Sequence, residues 1–427
     1  MKKTVLLIIT LDTKGAEARY LKHVLERQGV AVLLMDTGVF PSPSGEGDVS
    51  RREVALAGGR SIEMLIQASD RGEAIGTMMK GATALTKALY DRKRIDGVLS
   101  IGGAQGTIIG TSAMRVLPVG VPKVMLSTMA SGKRVFETYV GTSDVTLMHS
   151  VVDFFGLNPM LKQVLTNAAG AVAGMVRAGK VRPVKGAQVA ITIYGTTTPA
   201  GMTIVSLLQK KGYGVVAFHP NGVGGMAMEG MIREGMFDGV IDLSTHELMD
   251  ALAGGQHAAG PSRLEGAAER GLPQVVVPGG TDYIVTGRFS DLKDAYGKRK
   301  TMMHNPEMTF VQPSDREMAR LGRIMGRKLN RTRGEAVVMV PLHGFSYPNH
   351  EGRPFYNPSG VAAFVKGLKG AINSAIPVQL LPLHVNDEAF ARAVVEVFEG
   401  LLKTTGAREA KNDEAKGDTY AVQRKDH

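Results

Sequence analysis

Two stretches of the chain carry the same succession of elements, and this repeat restricts the possible folds more than any other feature. Val5-Leu6-Leu7-Ile8-Ile9 is an apolar run followed by the loop Leu11 to Gly15, a helix-compatible segment from Glu17 to Gln28 stopped by Gly29, and a second apolar run from Val30 to Met35. Val189-Ala190-Ile191-Thr192-Ile193, the loop Tyr194 to Pro199, the helical segment Gly201 to Lys211 stopped by Gly212, and the run Val215 to Phe218 repeat that order. Asp96 to Ser100 then returns as Asp238 to Asp242, and Gly120 to Leu126 returns as Gly271 to Val277. Short unbroken apolar runs suit strands covered on both faces. Alternated with helices, they predict parallel sheets with crossover connections. The expected class is α/β, with two tandem domains that arose by internal duplication.

A length of 427 residues fits two cores better than one. The segment Gly179 to Gly186, with Arg182-Pro183, reads as the linker between domains at 1–180 and 186–402. The first domain carries an insertion from Phe40 to Arg94, with a helix around Ile75 to Tyr90. Asn386 is placed to cap a closing helix from Glu388 to Leu402. Beyond it, 403–427 is polar and is expected to be disordered. With no cysteine there is no disulfide, thiol nucleophile or thiolate ligand, which fits a cytoplasmic protein. Met1-Lys2-Lys3 before an apolar run imitates a leader, but the run is short and leads straight into Leu11-Asp12-Thr13-Lys14, so it reads as a first strand. No run approaches a membrane span.

The formal charge of +11 invites a nucleic-acid reading. The run Lys298-Arg299-Lys300 has no aromatic platform beside it, however. Arg316, Arg320, Arg323 and Arg327 alternate at helical spacing with Met318, Leu321, Met325 and Leu329, which describes a solvated helix face. Neither a nucleic acid nor a membrane is expected as partner. The positive charge suits small anions instead.

In doubly wound sheets ligands sit beyond the carboxyl ends of the strands. In the first half those ends carry Asp12-Thr13-Lys14, then Gly102-Gly103-Ala104-Gln105-Gly106-Thr107, then Ser127-Thr128-Met129-Ala130-Ser131-Gly132. A glycine-rich turn between strand and helix lets backbone amides and the helix N-terminus face a phosphate. Lys14 adds a point charge, and Asp12 can hold Mg²⁺ through water. Ser127, Thr128, Ala130, Ser131 and Gly132 are expected to wrap a second phosphate, with Asp144 closing the crevice. Neither the Walker nor the dinucleotide glycine spacing is present. In the second half Thr196, Thr197, Thr198, His219, Asn221, His246 and Asp282 stand at strand ends, suited to a small acidic substrate. With His219, His246 and Asp282, Glu247 offers acid/base groups or metal ligands at one crevice. Their spacing matches no metal signature, so no metal ligands are assigned.

Leu11-Asp12-Thr13-Lys14-Gly15, Ser131-Gly132, Tyr139 to Val145, Ser150 to Asp153, Asn167-Ala168-Ala169, Gly195-Thr196-Thr197, Phe218-His219 and Gly224 to Glu229 together fit one pattern. The chain, up to about Leu402, resembles the family of the ATP-binding inhibitory domain of the tomato mosaic virus resistance protein and its bacterial relatives. That resemblance implies two Rossmann-like domains, ATP with Mg²⁺ in the N-terminal one, and a homodimer. The expectation is therefore an ATP-binding protein. The alternative is an ATP-dependent enzyme acting on a small acid or sugar acid at the C-terminal crevice.

Overall fold

A computed structural model describes the chain apart from residues 1, 42–44, 68–70, 132–136, 180–185, 293–295, 297 and 423–427, and gives only the backbone course of 406–422. The chain divides into two compact units, Met1–Arg182 and Pro183–His427. Gly132 and most of the segment read as the linker lie outside the described residues.

In the first unit the order is β1 (Thr4–Ile9), α1 (Leu11–Arg27), β2 (Ala31–Asp36), α2 (Arg51–Ala57), α3 (Ile62–Gln67), α4 (Arg71–Asp91), β3 (Gly97–Gly102), α5 (Ala104–Arg115), β4 (Lys123–Ser127), α6 (Glu137–Val140), β5 (Thr146–His149) and α7 (Pro159–Ala178). The five strands form one parallel sheet, ordered β2-β1-β3-β4-β5. Strand side chains alternate between faces, so the unbroken run in β1 feeds two cores. Val5, Leu7 and Ile9 pack with Leu21, Leu25, Leu161, Leu165 and Val172 of α1 and α7. Leu6 and Ile8 pack with Val54, Met78, Ile109 and Ala113 of α2, α4 and α5. Both faces are dry, as a parallel sheet requires.

The 40–94 insertion docks α2 against α4 through glycine. A Cβ on Gly81 would lie 1.8 Å from the Val54 carbonyl oxygen, and one on Gly58 would lie 2.1 Å from that of Thr77. Gly81→Ala must push the two helices apart, and overpacking of this kind costs about 1–3 kcal/mol. The expected result is a lower urea midpoint for the variant; an unchanged midpoint would show that the helices separate freely.

The second unit runs β6 (Gln188–Thr192), α8 (Thr198–Lys210), β7 (Gly214–Phe218), α9 (Val223–Arg233), β8 (Gly239–Ser244), α10 (His246–Ala253), α11 (Gly266–Arg270), β9 (Gln274–Gly279), β10 (Ile284–Thr286), β11 (Thr301–Asn305), β12 (Met308–Val311), α12 (Asp315–Leu329), β13 (Ala336–Pro341), α13 (Pro358–Lys369), β14 (Val378–Leu381) and α14 (Glu388–Val422). Its main sheet is parallel, ordered β14-β13-β9-β8-β6-β7. β10, β12 and β11 form a separate antiparallel sheet. The series β7-β6-β8-β9 reproduces β2-β1-β3-β4, so the sequence repeat is a repeat of topology. Ile191, Leu243, Val275 and Val277 face α8 and α14, whereas Val276, Val338 and Val340 face α12 and α13. Met318, Leu321, Met325 and Leu329 are buried and the four arginines between them exposed, as their spacing predicts.

One expectation about the end of the chain needs correction. Asn386 does not cap α14; its amide nitrogen donates to the Thr196 carbonyl at 2.9 Å and its oxygen accepts from the Ala200 amide at 3.4 Å. The backbone course of the closing helix runs past Leu402 to Val422. Ala407, Arg408, Glu409, Ala410 and Lys411 are strong helix formers, and polar residues do not by themselves end a helix. Among the described residues no helix is long and apolar enough to cross a membrane.

Candidate functional site

In each sheet the chain steps to one side of its first strand and then returns to the other. These switch points lie between β1 and β3 and between β6 and β8, the place where doubly wound sheets hold ligands.

At the first switch point lies a cavity of about 650 Å³. Its floor is the loop after β1 and the start of α5, contributing Thr10, Asp12, Thr13, Lys14, Gly103 and Gly106. Backbone geometry aims Lys14, which leaves helical angles at φ −131° and ψ 32° inside α1. Its ammonium donates only to Thr13 Oγ1, at 3.2 Å. Across the cavity Arg71, at the start of α4, donates to Gln105 Oε1 at 3.4 Å. Neither cation has a carboxylate partner among the described residues. The Gly103 N-cap leaves the first amides of α5 without intrahelical acceptors. Leu65, Ile75, Met78 and Ile109 make the remaining wall apolar.

Asp12 is the single carboxylate among the lining residues. One of its oxygens, Oδ2, accepts from the Val39 and Phe40 amides at 3.1 and 3.2 Å, tying the loop after β2 over the cavity. Asp36, buried beneath that loop, accepts from the Leu11 and Gly38 amides at 3.0 and 2.8 Å, and burial pushes its carboxyl up. The glycines divide their roles. A Cβ on Gly102 would press on Gly106 Cα at 2.8 Å, so Gly102 serves close packing of strand and helix. A Cβ on Gly103 meets only Thr128 Oγ1, at 3.7 Å.

The other expected phosphate groups have internal partners. Thr107 Oγ1 and Ser127 Oγ share a hydrogen bond of 2.5 Å, both buried, and Ser127 Oγ also accepts from the Met129 amide. The Thr128 amide donates to the Gly102 carbonyl, and Ser131 Oγ lies 3.3 Å from His149 Nε2. Neither these residues nor Ala130 lines the cavity. Asp144 does not close the crevice, which corrects the expectation. It accepts from Lys123 Nζ at 2.5 Å and from the Gly120 amide at 2.8 Å, at the amino end of β4 and so at the opposite edge of the sheet. Burial pushes the Asp144 carboxyl up, but Lys123 and the Gly120 amide outweigh it and hold it below the ordinary value. The buried Lys123 ammonium needed a carboxylate, and sequence spacing cannot show which one reaches it.

At the second switch point the centre is Tyr194, which sequence reading passed over. His219 and His246 both stack on its ring, at centroid distances of 4.9 and 4.8 Å. Its hydroxyl lies 2.7 Å from His257 Nδ1. Tyr283 stacks on His246 and shares a 2.8 Å hydrogen bond with Thr196 Oγ1. His246 is fully buried, with Nδ1 2.6 Å from the Gly280 carbonyl and Nε2 3.4 Å from Asp250 Oδ2. Burial pushes the His246 imidazole down, but the Asp250 carboxylate raises it further. His257 is lowered by burial and by the charge of His246. Asp250 escaped notice because its spacing of four from His246 matters only once both stand on one helix.

Thr197 and Thr198 bond the Tyr194 backbone rather than its ring, and Asn221 and Asp282 bond other groups. Thr197 Oγ1 shares a 2.6 Å bond with Ser244, and Thr198 Oγ1 donates to the Tyr194 carbonyl. Asn221 accepts from the Gly224 amide at the start of α9. Asp282 is buried, accepts from the Phe345 amide and Asn349 Nδ2 at 3.0 and 2.8 Å, and its carboxyl is pushed up by burial. Glu247, expected as an acid/base group, is instead an ion-pair partner of the buried Arg263. Arg263 Nε donates to Glu247 at 2.5 Å, its Nη2 to Asp242 at 2.7 Å, and its Nη1 reaches Glu229 at 3.4 Å.

These features define a class: a two-domain Rossmann-like α/β protein with a strand-end crevice in each domain. The chain belongs to the uncharacterised protein family UPF0261, whose N-terminal domain model matches residues 3–181 and whose C-terminal domain model matches 186–402. A UPF0261 protein of Clostridium tetani is 39% identical over 94% of this chain and 100% of its own length. One from Rhizobium meliloti is 34% identical over 93% of this chain and 99% of its own. The tomato ToMV resistance protein Tm-1 is 35% identical over 77% of this chain, a match that takes in 44% of the tomato protein.

Proposed function

We propose that the N-terminal domain binds ATP with Mg²⁺ in the 650 Å³ cavity. The observation that carries this reading is the meeting, at the β1/β3 switch point, of two cations without carboxylate partners and the open N-terminus of α5. A triphosphate needs positive charge and amide donors at one end, and its base needs an apolar wall at the other. Lys14, Arg71 and the amides after Gly103 supply the first; Leu65, Ile75, Met78 and Ile109 supply the second. The volume falls within the range of small-molecule sites. Asp12 Oδ2 is occupied by the loop amides, which leaves Oδ1 as the oxygen to hold Mg²⁺ through water. The ion would supply charge neutralisation between phosphate oxygens.

Isothermal titration of the full chain with ATP and Mg²⁺ tests this. One equivalent should bind. Lys14→Ala and Arg71→Ala should each weaken binding roughly 10- to 100-fold, because a hydrogen bond to a charged group contributes about 1.5–3 kcal/mol. Affinity unchanged in both variants would remove the nucleotide from this cavity. A second reading, an enzyme that uses ATP on a small acid, is favoured by the exposed His219 beside Tyr194 at the C-terminal crevice. ADP release over a panel of small acids in the same assay separates the enzyme from the binding protein.

A further inference from the structure

The His246 ring is held in one tautomer. A carbonyl oxygen can only accept, so the 2.6 Å contact with Gly280 places a proton on Nδ1. In the neutral ring Nε2 then points a lone pair into the protein interior, where it has no hydrogen-bond partner. What it faces is Asp250 Oδ2, at 3.4 Å, with both side chains fully buried. Two acceptors at that distance repel unless a cation lies between them. Asp250 itself is fixed, since its oxygens accept from the Val285 and His257 amides at 3.0 and 2.9 Å. A ring nitrogen of His257 completes a set of three ligand atoms that all lie within 4.8 Å of one another.

We propose that His246, Asp250 and His257 bind a divalent transition-metal ion of the zinc class. Two imidazoles and one carboxylate are a borderline-soft N/O set suited to such ions rather than to Mg²⁺ or Ca²⁺. Bonds of about 2.0–2.1 Å put neighbouring ligands of a tetrahedral site roughly 3.3 Å apart. His246 Nε2 and Asp250 Oδ2 already have that separation, and His257, the half-buried member, closes the third side. Gly280 acts on His246 as outer-shell carbonyls do on metal-bound histidines, fixing the tautomer that presents Nε2. Three protein ligands leave a position open, as in catalytic rather than structural sites. Tyr194 stands beside the set, its hydroxyl 2.7 Å from His257 Nδ1. This site is independent of nucleotide binding in the first domain.

The test uses the full chain stripped with a chelator and titrated with Co²⁺, then with Zn²⁺ as competitor. One equivalent of Co²⁺ should bind with the visible ligand-field absorption of a low-symmetry site, and Zn²⁺ should displace it. His257→Gln should weaken Co²⁺ binding at least 100-fold, with circular dichroism of the metal-free protein unchanged. Asp250→Asn provides a second variant should the first disturb the loop. His219→Gln, a neighbour outside the set, should leave Co²⁺ affinity within about threefold. Failure of the wild-type protein to take up Co²⁺ or Zn²⁺ would overturn the proposal, as would uptake that survives both ligand variants. An NMR titration would then find His246 as an imidazolium, the cation opposite Asp250 being a proton.

Discussion

Gly103→Asp is expected to abolish ATP binding while leaving the fold intact. At φ −80° and ψ −155° the residue is in extended backbone that any L-residue adopts, and its Cβ would meet nothing closer than Thr128 Oγ1 at 3.7 Å. Aspartate is a favoured N-cap, so α5 should gain a few tenths of a kcal/mol over glycine. The same carboxylate would accept from the first α5 amides, the donors a phosphate needs, and would set a negative charge against it. Like-charge contact of that kind costs several kcal/mol, so affinity should fall at least 100-fold. Titration with ATP and Mg²⁺, beside a melting curve, reads both halves of the expectation. Full affinity in a folded variant would place the triphosphate elsewhere.

The second large effect belongs to Arg263. Its guanidinium is 1% exposed and pairs with Asp242, Glu247 and Glu229, which are themselves buried. With the half-exposed Arg233 reaching Glu229 at 3.7 Å, two guanidinium groups face three carboxylates. Burial accordingly pushes Glu229 up, toward its neutral form, although Arg263 and two backbone amides oppose this. Glu247 in turn accepts from the Gly222 and Gly225 amides at 2.7 and 3.0 Å, so the network also positions the loop leading into α9. Arg263→Met would leave buried carboxylates without a counter-charge, at about 3–5 kcal/mol. The second unit's melting temperature should drop by roughly 10 °C or more, and Asp242→Asn added to the variant should recover part of it. A drop of only a degree or two would mean that water reaches the network.

Legibility differed between fold and site for a reason visible in particular residues. The strands β1, β3, β6 and β8 announce themselves as apolar runs, and Met318 to Leu329 as a helical stripe, because burial imposes a period on the chain. Loop chemistry has no period. Lys14 and Gly103 could be placed at strand ends by counting elements. Arg71 could not, since it comes from the insertion and meets Gln105 only after α4 packs on α5. Asp144 reads as a ligand residue because it follows what looks like a short strand, yet the buried Lys123 holds it at the amino ends of the strands.

The sequence by itself determined the α/β class, the repeated topology and the two switch-point crevices, since these follow from which residues must leave water. Tertiary structure alone decided which polar groups are spent inside the protein and which remain to act. Thr107 and Ser127 pair with each other, Thr197 with Ser244, and Glu247 with Arg263 and two backbone amides, because a buried polar atom costs free energy unless paired. Lys14 and Arg71 are left facing the first cavity, and His246 Nε2 is left buried without a hydrogen-bond partner. That allocation depends on distances between elements far apart in the chain, and no local pattern of residues encodes it.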